Sequence, residues 1–276
     1  MQDSLTVRGA RPRPGDATSR PGTALREPGV GVVVPYDFAL DRELWRWCPP
    51  EATLHLTRTP HLPLPVGLAQ ARAVRAPGAV GQATHDLSTV RPSVVAYACT
   101  SGSFVAGPSG EVALREAIVE AGAPAAVTTS GAAVAALHAT GAHRVSIVTP
   151  YDESVTDSLG RFLTGAGLEV ASAGHLGLVG EIWTVPGSVT ADLVRDTVCP
   201  DAEAVFVSCT NLRTYDLLAP LEAELGIPVL SANQVTLWQA LGAIGLSAVG
   251  PGQSLLAHRP GLGAGSTISS SDERQG

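Results

Sequence analysis

The chain contains no lysine. All 18 of its basic residues are arginine, which excludes a Schiff-base enzyme, a pyridoxal-phosphate enzyme and a lysine-bearing phosphate loop. Cysteine is scarce too: four in 276 residues make no disulfide framework, and in a reducing compartment such residues are buried core thiols or catalytic thiols. Charged side chains are only 16% of the chain and net charge is −7, so a nucleic-acid partner has no electrostatic support. No apolar run approaches the roughly 20 residues of a membrane span. The opening MQDSLTVRGARPRPG lacks the apolar core of a signal peptide, which predicts a cytoplasmic protein.

What is present is a 45% hydrophobic composition, enough for one large α/β domain or two lobes. Segments 1–28 and 259–276, rich in Pro, Gly and Ser or Arg, are expected to be disordered. Between them, apolar strand-like runs alternate with segments of helical spacing. The first set of runs is Val30–Tyr36, Thr53–Thr59, Ser93–Cys99 and Ala125–Thr129; the second is Arg144–Tyr151, Leu168–Gly174, Ala204–Cys209 and Pro228–Ala232. Helical spacing marks Val112–Ala121, Gly131–Thr140, Ser154–Ala166 and Asn211–Leu225. Near-continuous apolar strands alternating with helices predict parallel sheets covered on both faces.

The two sets repeat. A strand followed by Pro-Tyr-Asp occurs at Pro35 and again at Pro150, and a strand followed by Cys-Thr occurs at Cys99 and again at Cys209. Landmarks in the same order at nearly the same offset indicate duplication of a four-stranded unit. In a doubly wound sheet, ligands bind beyond the carboxyl ends of the strands, where all four landmarks lie. If the halves face each other about a pseudo-twofold axis, the Cys-Thr loops flank one cleft.

After Cys99 come Thr100, Ser101 and Gly102; after Cys209 come Thr210 and Asn211. Small residues permit a tight turn, and amides at a helix start can hold a carboxylate and lower a thiol's pKa. A single such cysteine reads as an inert core thiol; two at matching positions read as a nucleophile or base and its counterpart. Tyr36 and Tyr151 can donate to a carboxylate or serve as ordinary amphipathic tyrosines. Ser130, in Thr128–Ala132, belongs to an anion site or a helix cap. Asp41–Trp47 reads as a helix that packs its Trp and Leu side chains and leaves its charges solvated. The seven histidines show no metal-ligand spacing, and no dinucleotide fingerprint follows the first strand.

The paired strand–Cys–Thr loops, VTPY (Val148–Tyr151) and GIPVLSAN (Gly226–Asn233), resemble the aspartate/glutamate racemase superfamily, in its maleate cis-trans isomerase and arylmalonate decarboxylase branch. The resemblance runs from about Gly29 to Gly250. It implies an α/β fold of two pseudosymmetric flavodoxin-like lobes, each with a four-stranded parallel sheet flanked by helices. Lobes at 29–128 and 129–231 are expected, with a C-terminal helical segment at 232–258 packing back on the first lobe. It also implies an active site between the lobes, no cofactor and no metal.

Racemases of this superfamily use one cysteine as base and the other as acid. In the isomerase the first cysteine attacks the alkene to give a succinyl-cysteine intermediate. The decarboxylase keeps only the second cysteine and has glycine at the first position. By that resemblance Cys99 and Cys209 are catalytic, and Thr100, Ser101, Ser130, Tyr151, Thr210 and Asn211 bind substrate; Tyr36 and Asp37, at the matching strand end of the first lobe, are further candidates for binding it. Two departures stand out: Pro35-Tyr36-Asp37-Phe38 replaces the isomerase's Pro-Ser-Ser-Asn, and Val179 replaces a second asparagine. Both lost asparagines hold substrate carboxylates, so Phe38 and Trp183 point to a larger or more apolar substrate than maleate.

The expected function is a cofactor-independent isomerase or racemase of a small carboxylate or dicarboxylate. A malonate-type decarboxylase using Cys209 as proton donor is one alternative; a non-catalytic small-acid-binding protein is another. No nucleic-acid or membrane partner is expected, and a homodimer or higher homo-oligomer is compatible with this reading.

Overall fold

The computed structural model describes residues 27–261, so the two expected disordered segments lie almost wholly outside the described residues. Two four-stranded sheets form, each entirely parallel. The first joins β1 (Gly29–Val34), β2 (Thr53–Arg58), β3 (Val94–Tyr97) and β4 (Ala126–Thr128) in the order β2-β1-β3-β4. The second joins β5 (Arg144–Thr149), β6 (Glu169–His175), β7 (Ala204–Val207) and β8 (Val229–Ser231) in the order β6-β5-β7-β8. The orders match strand for strand, as duplicated flavodoxin-like lobes require. Each connection crosses over through at least one helix: α1 (Asp41–Trp47), α2 (Leu68–Val74), α3 (Pro77–Ser88), α4 (Thr100–Phe104) and α5 (Gly107–Glu120) in the first lobe. Next come α6 (Thr129–Ala139), α7 (Glu153–Gly165), α8 (Gly187–Thr197), α9 (Tyr215–Leu225) and α10 (Ala232–Ala243).

Side-chain alternation sorts the first sheet's two faces. Val32, Val34, Ala96 and Ala98 point into a core shared between the lobes, which also takes Leu44 and Trp47 of α1 and the apolar residues of α6 and α10. Val33, Val95, Tyr97 and Cys99 point the other way, toward Val74 of α2, Leu87 of α3 and Ile118 of α5. Helix α10 packs against α6, α1, β3 and β4. Beyond Ala243 the chain is irregular except for a 3₁₀ turn at Ser254–Ala257, so residues 232–258 are helical only in part.

Three further helices, α2, α3 and α8, were not singled out from the sequence. The expected helix at Asn211–Leu225 starts only at Tyr215, because Cys209 takes a φ of 98° and turns the chain out of helical register. Expected and observed strands otherwise coincide to within a residue or two. Among the described residues no helix is long and apolar enough to cross a membrane.

Glu43 corrects the reading of α1 as a helix with solvated charges. It is buried, and its Oε1 accepts from Thr214 N (2.8 Å), Thr214 Oγ1 (2.8 Å) and Tyr215 N (2.9 Å). A first-lobe carboxylate thus caps a second-lobe helix, whose own N-cap residue Thr214 makes no capping bond. Beside it, Arg46 forms a bidentate pair with Asp216 (2.6 Å to each oxygen) and its guanidinium lies 3.7 Å from the centre of the Tyr215 ring.

Candidate active site

Both Cys-Thr segments leave their strands at the carboxyl ends of the sheets, on the inner strands β3 and β7. Cys99 and Cys209 are 4% and 7% exposed, and all four cysteines are free thiols. Each of the two sulfurs has a tyrosine and a backbone amide as its polar neighbours. For Cys99 these are the Gly102 N–H and the Tyr97 phenol, whose own proton goes to Val74 O (3.0 Å), with Ser101 Oγ at 3.9 Å. For Cys209 they are the Tyr151 phenol and the Asn211 N–H, the latter at 3.4 Å. Gly102 is required by this approach: a Cβ there would collide with Tyr97 Oη and come within 3.1 Å of Cys99 Sγ.

Burial dominates the chemistry of the free thiols. Desolvation pushes Cys99 up to about 11 and Cys209 up to about 12, against the hydrogen bonds just named, and the Asp37 carboxylate raises both further. The loop amides do lower both values, as expected, but they are outweighed. Helix α4 is only five residues long, and removal of the sulfur from water outweighs its few amides. Cys99 adds to the rise at Cys209 and also raises Tyr151.

The predicted binding residues divide into those that face the thiols and those that hold them. Thr100 is buried and its hydroxyl has no hydrogen-bond partner, leaving it free for a ligand; Ser101 stands beside Cys99. Ser130 is instead a pin. Its Oγ donates to Thr100 O (3.1 Å) and meets Ser103 Oγ at 2.6 Å. In the second lobe Asn233 plays the same part, donating from Nδ2 to Thr210 O (2.9 Å). Both pins sit two residues beyond a helix N-cap, Thr128 and Ser231 respectively.

Asn211 is likewise not free to bind substrate through its side chain. Its Oδ1 accepts from Ala39 N (2.9 Å) and its Nδ2 donates to Asp37 O (3.1 Å), so the amide ties the second cysteine loop to the first lobe. That clamp fixes the backbone of Asp37, whose carboxyl is pushed up by burial and is electrostatically coupled to both sulfurs. Tyr36 points away from the thiols. Its hydroxyl donates to Leu64 O (3.2 Å) and its ring meets His61 edge-on. Phe38 packs in the shared core instead of lining a pocket. Val179 is 61% exposed, and its carbonyl accepts from Val66 N (2.8 Å), joining the loops that follow β2 and β6.

Sequence reasoning missed the parts played by Tyr97, Asn233 and Glu43. Tyr97 had a usable signal: two residues before Cys99 on a strand, it shares that residue's face. No group of three or more potential metal ligands exists among the described residues.

The chain matches the sequence model of the arylmalonate decarboxylase family over residues 75–257. It is 29% identical over 215 residues to a maleate isomerase of Nocardia farcinica, covering 75% of this chain and 84% of that protein. It is 32% identical over 158 residues to the arylmalonate decarboxylase of Bordetella bronchiseptica, covering 55% of this chain and 65% of that one. Among solved structures, a cysteine-to-serine mutant of the Nocardia farcinica maleate cis-trans isomerase, holding a covalently bound succinylcysteine intermediate, superimposes with a TM-score of 0.75. That match has 25% identity and covers 83% of this chain and 98% of the other.

Proposed function

The chain belongs to the arylmalonate decarboxylase family, in the branch of the aspartate/glutamate racemase superfamily that also holds the maleate isomerases, and from that premise we propose that it is a two-thiol isomerase or racemase of a small carboxylate. One observation carries the proposal. At equivalent strand ends, each of two buried thiols has a phenol and an amide N–H beside it, and Cys99 raises the pKa of Cys209.

Cys99 serves as nucleophile or base and Cys209 as the opposing acid. Burial keeps Cys209 protonated at neutral pH, as a proton donor must be. The same burial means that Cys99 reacts only as the thiolate, which the Gly102 N–H and the neighbouring Ser101 hydroxyl stabilise. The free Thr100 hydroxyl, Ser101, Tyr151 and the Thr210 loop hold the carboxylate, and oriented donors there stabilise an enediolate-like state. Ser130, Asn211 and Asn233 act through the loops they fix. The Asp37 carboxylate opposes a second substrate carboxylate beside the thiols. Free thiols require a reducing compartment, which favours the cytoplasm.

The test is to assay Cys99→Ala and Cys209→Ala separately against maleate, arylmalonates, unsaturated monocarboxylic acids and amino acids. Loss of turnover in both supports the proposal; an active wild type whose rate survives both changes refutes it. The match to the decarboxylase family model favours one further reading, protonation of a decarboxylated malonate by Cys209 alone. Carbon dioxide release that persists in Cys99→Ala would select that reading.

A further inference from the structure

A second cavity, of about 270 Å³, lies between the lobes behind α4. Leu68, Arg72, Phe104, Gly107, Ser158 and Arg161 contribute to its wall. It draws α2 and the α4–α5 junction from the first lobe and α7 from the second. Helix α4, which begins beside Cys99, ends at the cavity with Phe104.

Two arginines line it, Arg72 from the first lobe and Arg161 from the second, both exposed to solvent. Among the described residues neither Arg72 nor Arg161 makes an ion pair or a side-chain hydrogen bond. Like charges placed together in a chain of net charge −7 gain nothing from each other, and an anion between them would gain from both. Asp157, one turn before Arg161, faces the neighbouring cavity with it and forms no ion pair with it.

The remaining walls supply neutral donors. Ser158 is 8% exposed, lines the cavity and has no hydrogen-bond partner. Gly107, with a φ of 72°, opens the 14-residue helix α5, whose N-cap residue Ala106 offers no side-chain cap. The start of α5 thus keeps backbone donors that its own sequence does not satisfy. Arg75 donates to Gly102 O (3.1 Å) and Gly110 O (2.8 Å), which fixes the α4–α5 corner.

We infer that this inter-lobe cavity is a binding site for a phosphate-type oxyanion, free or as the terminal group of a small phosphomonoester, held by Arg72, Arg161 and the Ser158 hydroxyl. Occupancy ties α2 to α7 across the lobes and lies at the far end of the helix that begins beside Cys99. The site is separate from the thiol cleft and does not depend on the reaction proposed for it.

Isothermal titration of the full chain at low ionic strength tests it, with inorganic phosphate in one arm and glycerol 2-phosphate in the other. Saturable one-to-one binding is expected. Arg72→Gln and Arg161→Gln should each weaken it about tenfold or more, and Ser158→Ala about threefold. Arg115→Gln, outside the cavity, and Cys99→Ala should leave it unchanged. The tighter of the two ligands identifies the source of the anion. Absence of saturable binding in both arms, or affinities indifferent to Arg72 and Arg161, overturns the assignment.

Discussion

The two lobes carry the same two landmarks and use them differently. In the second lobe, Tyr151 of Pro-Tyr-Asp turns inward to the Cys209 thiol, and Asp152 caps α7 by accepting from Val155 N at 2.9 Å. In the first lobe, Tyr36 turns outward to Leu64 O and Asp37 caps nothing, standing instead in the field of both thiols. Cys99 lies in extended backbone with a φ of −140°, whereas Cys209 is held at a φ of 98°. The pins beneath the loops, Ser130 and Asn233, remain equivalent. Duplication has thus preserved the supports while the faces around the two thiols diverge, a difference that the proposed opposed roles would use.

The comparison breaks most decisively at the cysteines themselves. Cys99→Ala and Cys209→Ala are each expected to lower turnover on the order of 10² to 10⁴-fold, and a rate that survives either change would show that copy to be dispensable.

The carboxylates that cap helices come next. Glu43→Ala should cost about 1–3 kcal/mol by leaving buried donors of α9 unpaired, and Asp152→Ala about 1 kcal/mol through a lost cap. Their pH dependences should run in opposite directions. Burial raises Glu43 above its ordinary 4.5, so its contribution is full below that value and fades as pH rises through the folded-state pKa. Bonds from Val155 N and Ser154 hold Asp152 below its ordinary 3.8, so its contribution is present above that value and lost as pH falls through the folded-state pKa. Urea unfolding across pH 3–8 reads both. Glu43→Gln, which imitates the protonated acid, should retain full stability at neutral pH.

Asp37→Asn sharpens the difference between the Pro-Tyr-Asp copies. It should lower the pKa of both reacting thiols and improve binding of dianionic relative to monoanionic acids by about tenfold, measured as the ratio of inhibition constants for succinate and butyrate. An unchanged ratio would remove Asp37 from the specificity of the cleft. The smallest effect concerns backbone. At position 209, Gly should be more stable than Ala by about 1 kcal/mol because of the positive φ. At position 99 the order should reverse, with Gly less stable by about 0.5–1 kcal/mol.

Much of this was legible in the sequence. Parallel strands buried on both faces appear as apolar runs, and a repeated Pro-Tyr-Asp and Cys-Thr exposes the duplication. Side-chain direction in the loops was not legible, since it depends on the opposite lobe. Asn211 reads as a carboxylate ligand until Asp37 and Ala39 are brought against it, and Glu43 reads as a solvated charge until α9 ends on it. The thiol pKa values were misjudged for a related reason. Local motifs advertise the donors around a sulfur, but its desolvation is set by everything packed above it.

Opposed roles for the two thiols are tested most directly by trapping the reaction on one sulfur. Cys209→Ser and Cys99→Ser are each incubated with α,β-unsaturated mono- and dicarboxylic acids, quenched in acid and examined by peptide mass spectrometry. The two-thiol isomerase predicts a substrate-mass adduct on Cys99 in Cys209→Ser and none on Cys209 in Cys99→Ser. An adduct on Cys209 in Cys99→Ser, or full turnover by either variant, would contradict it.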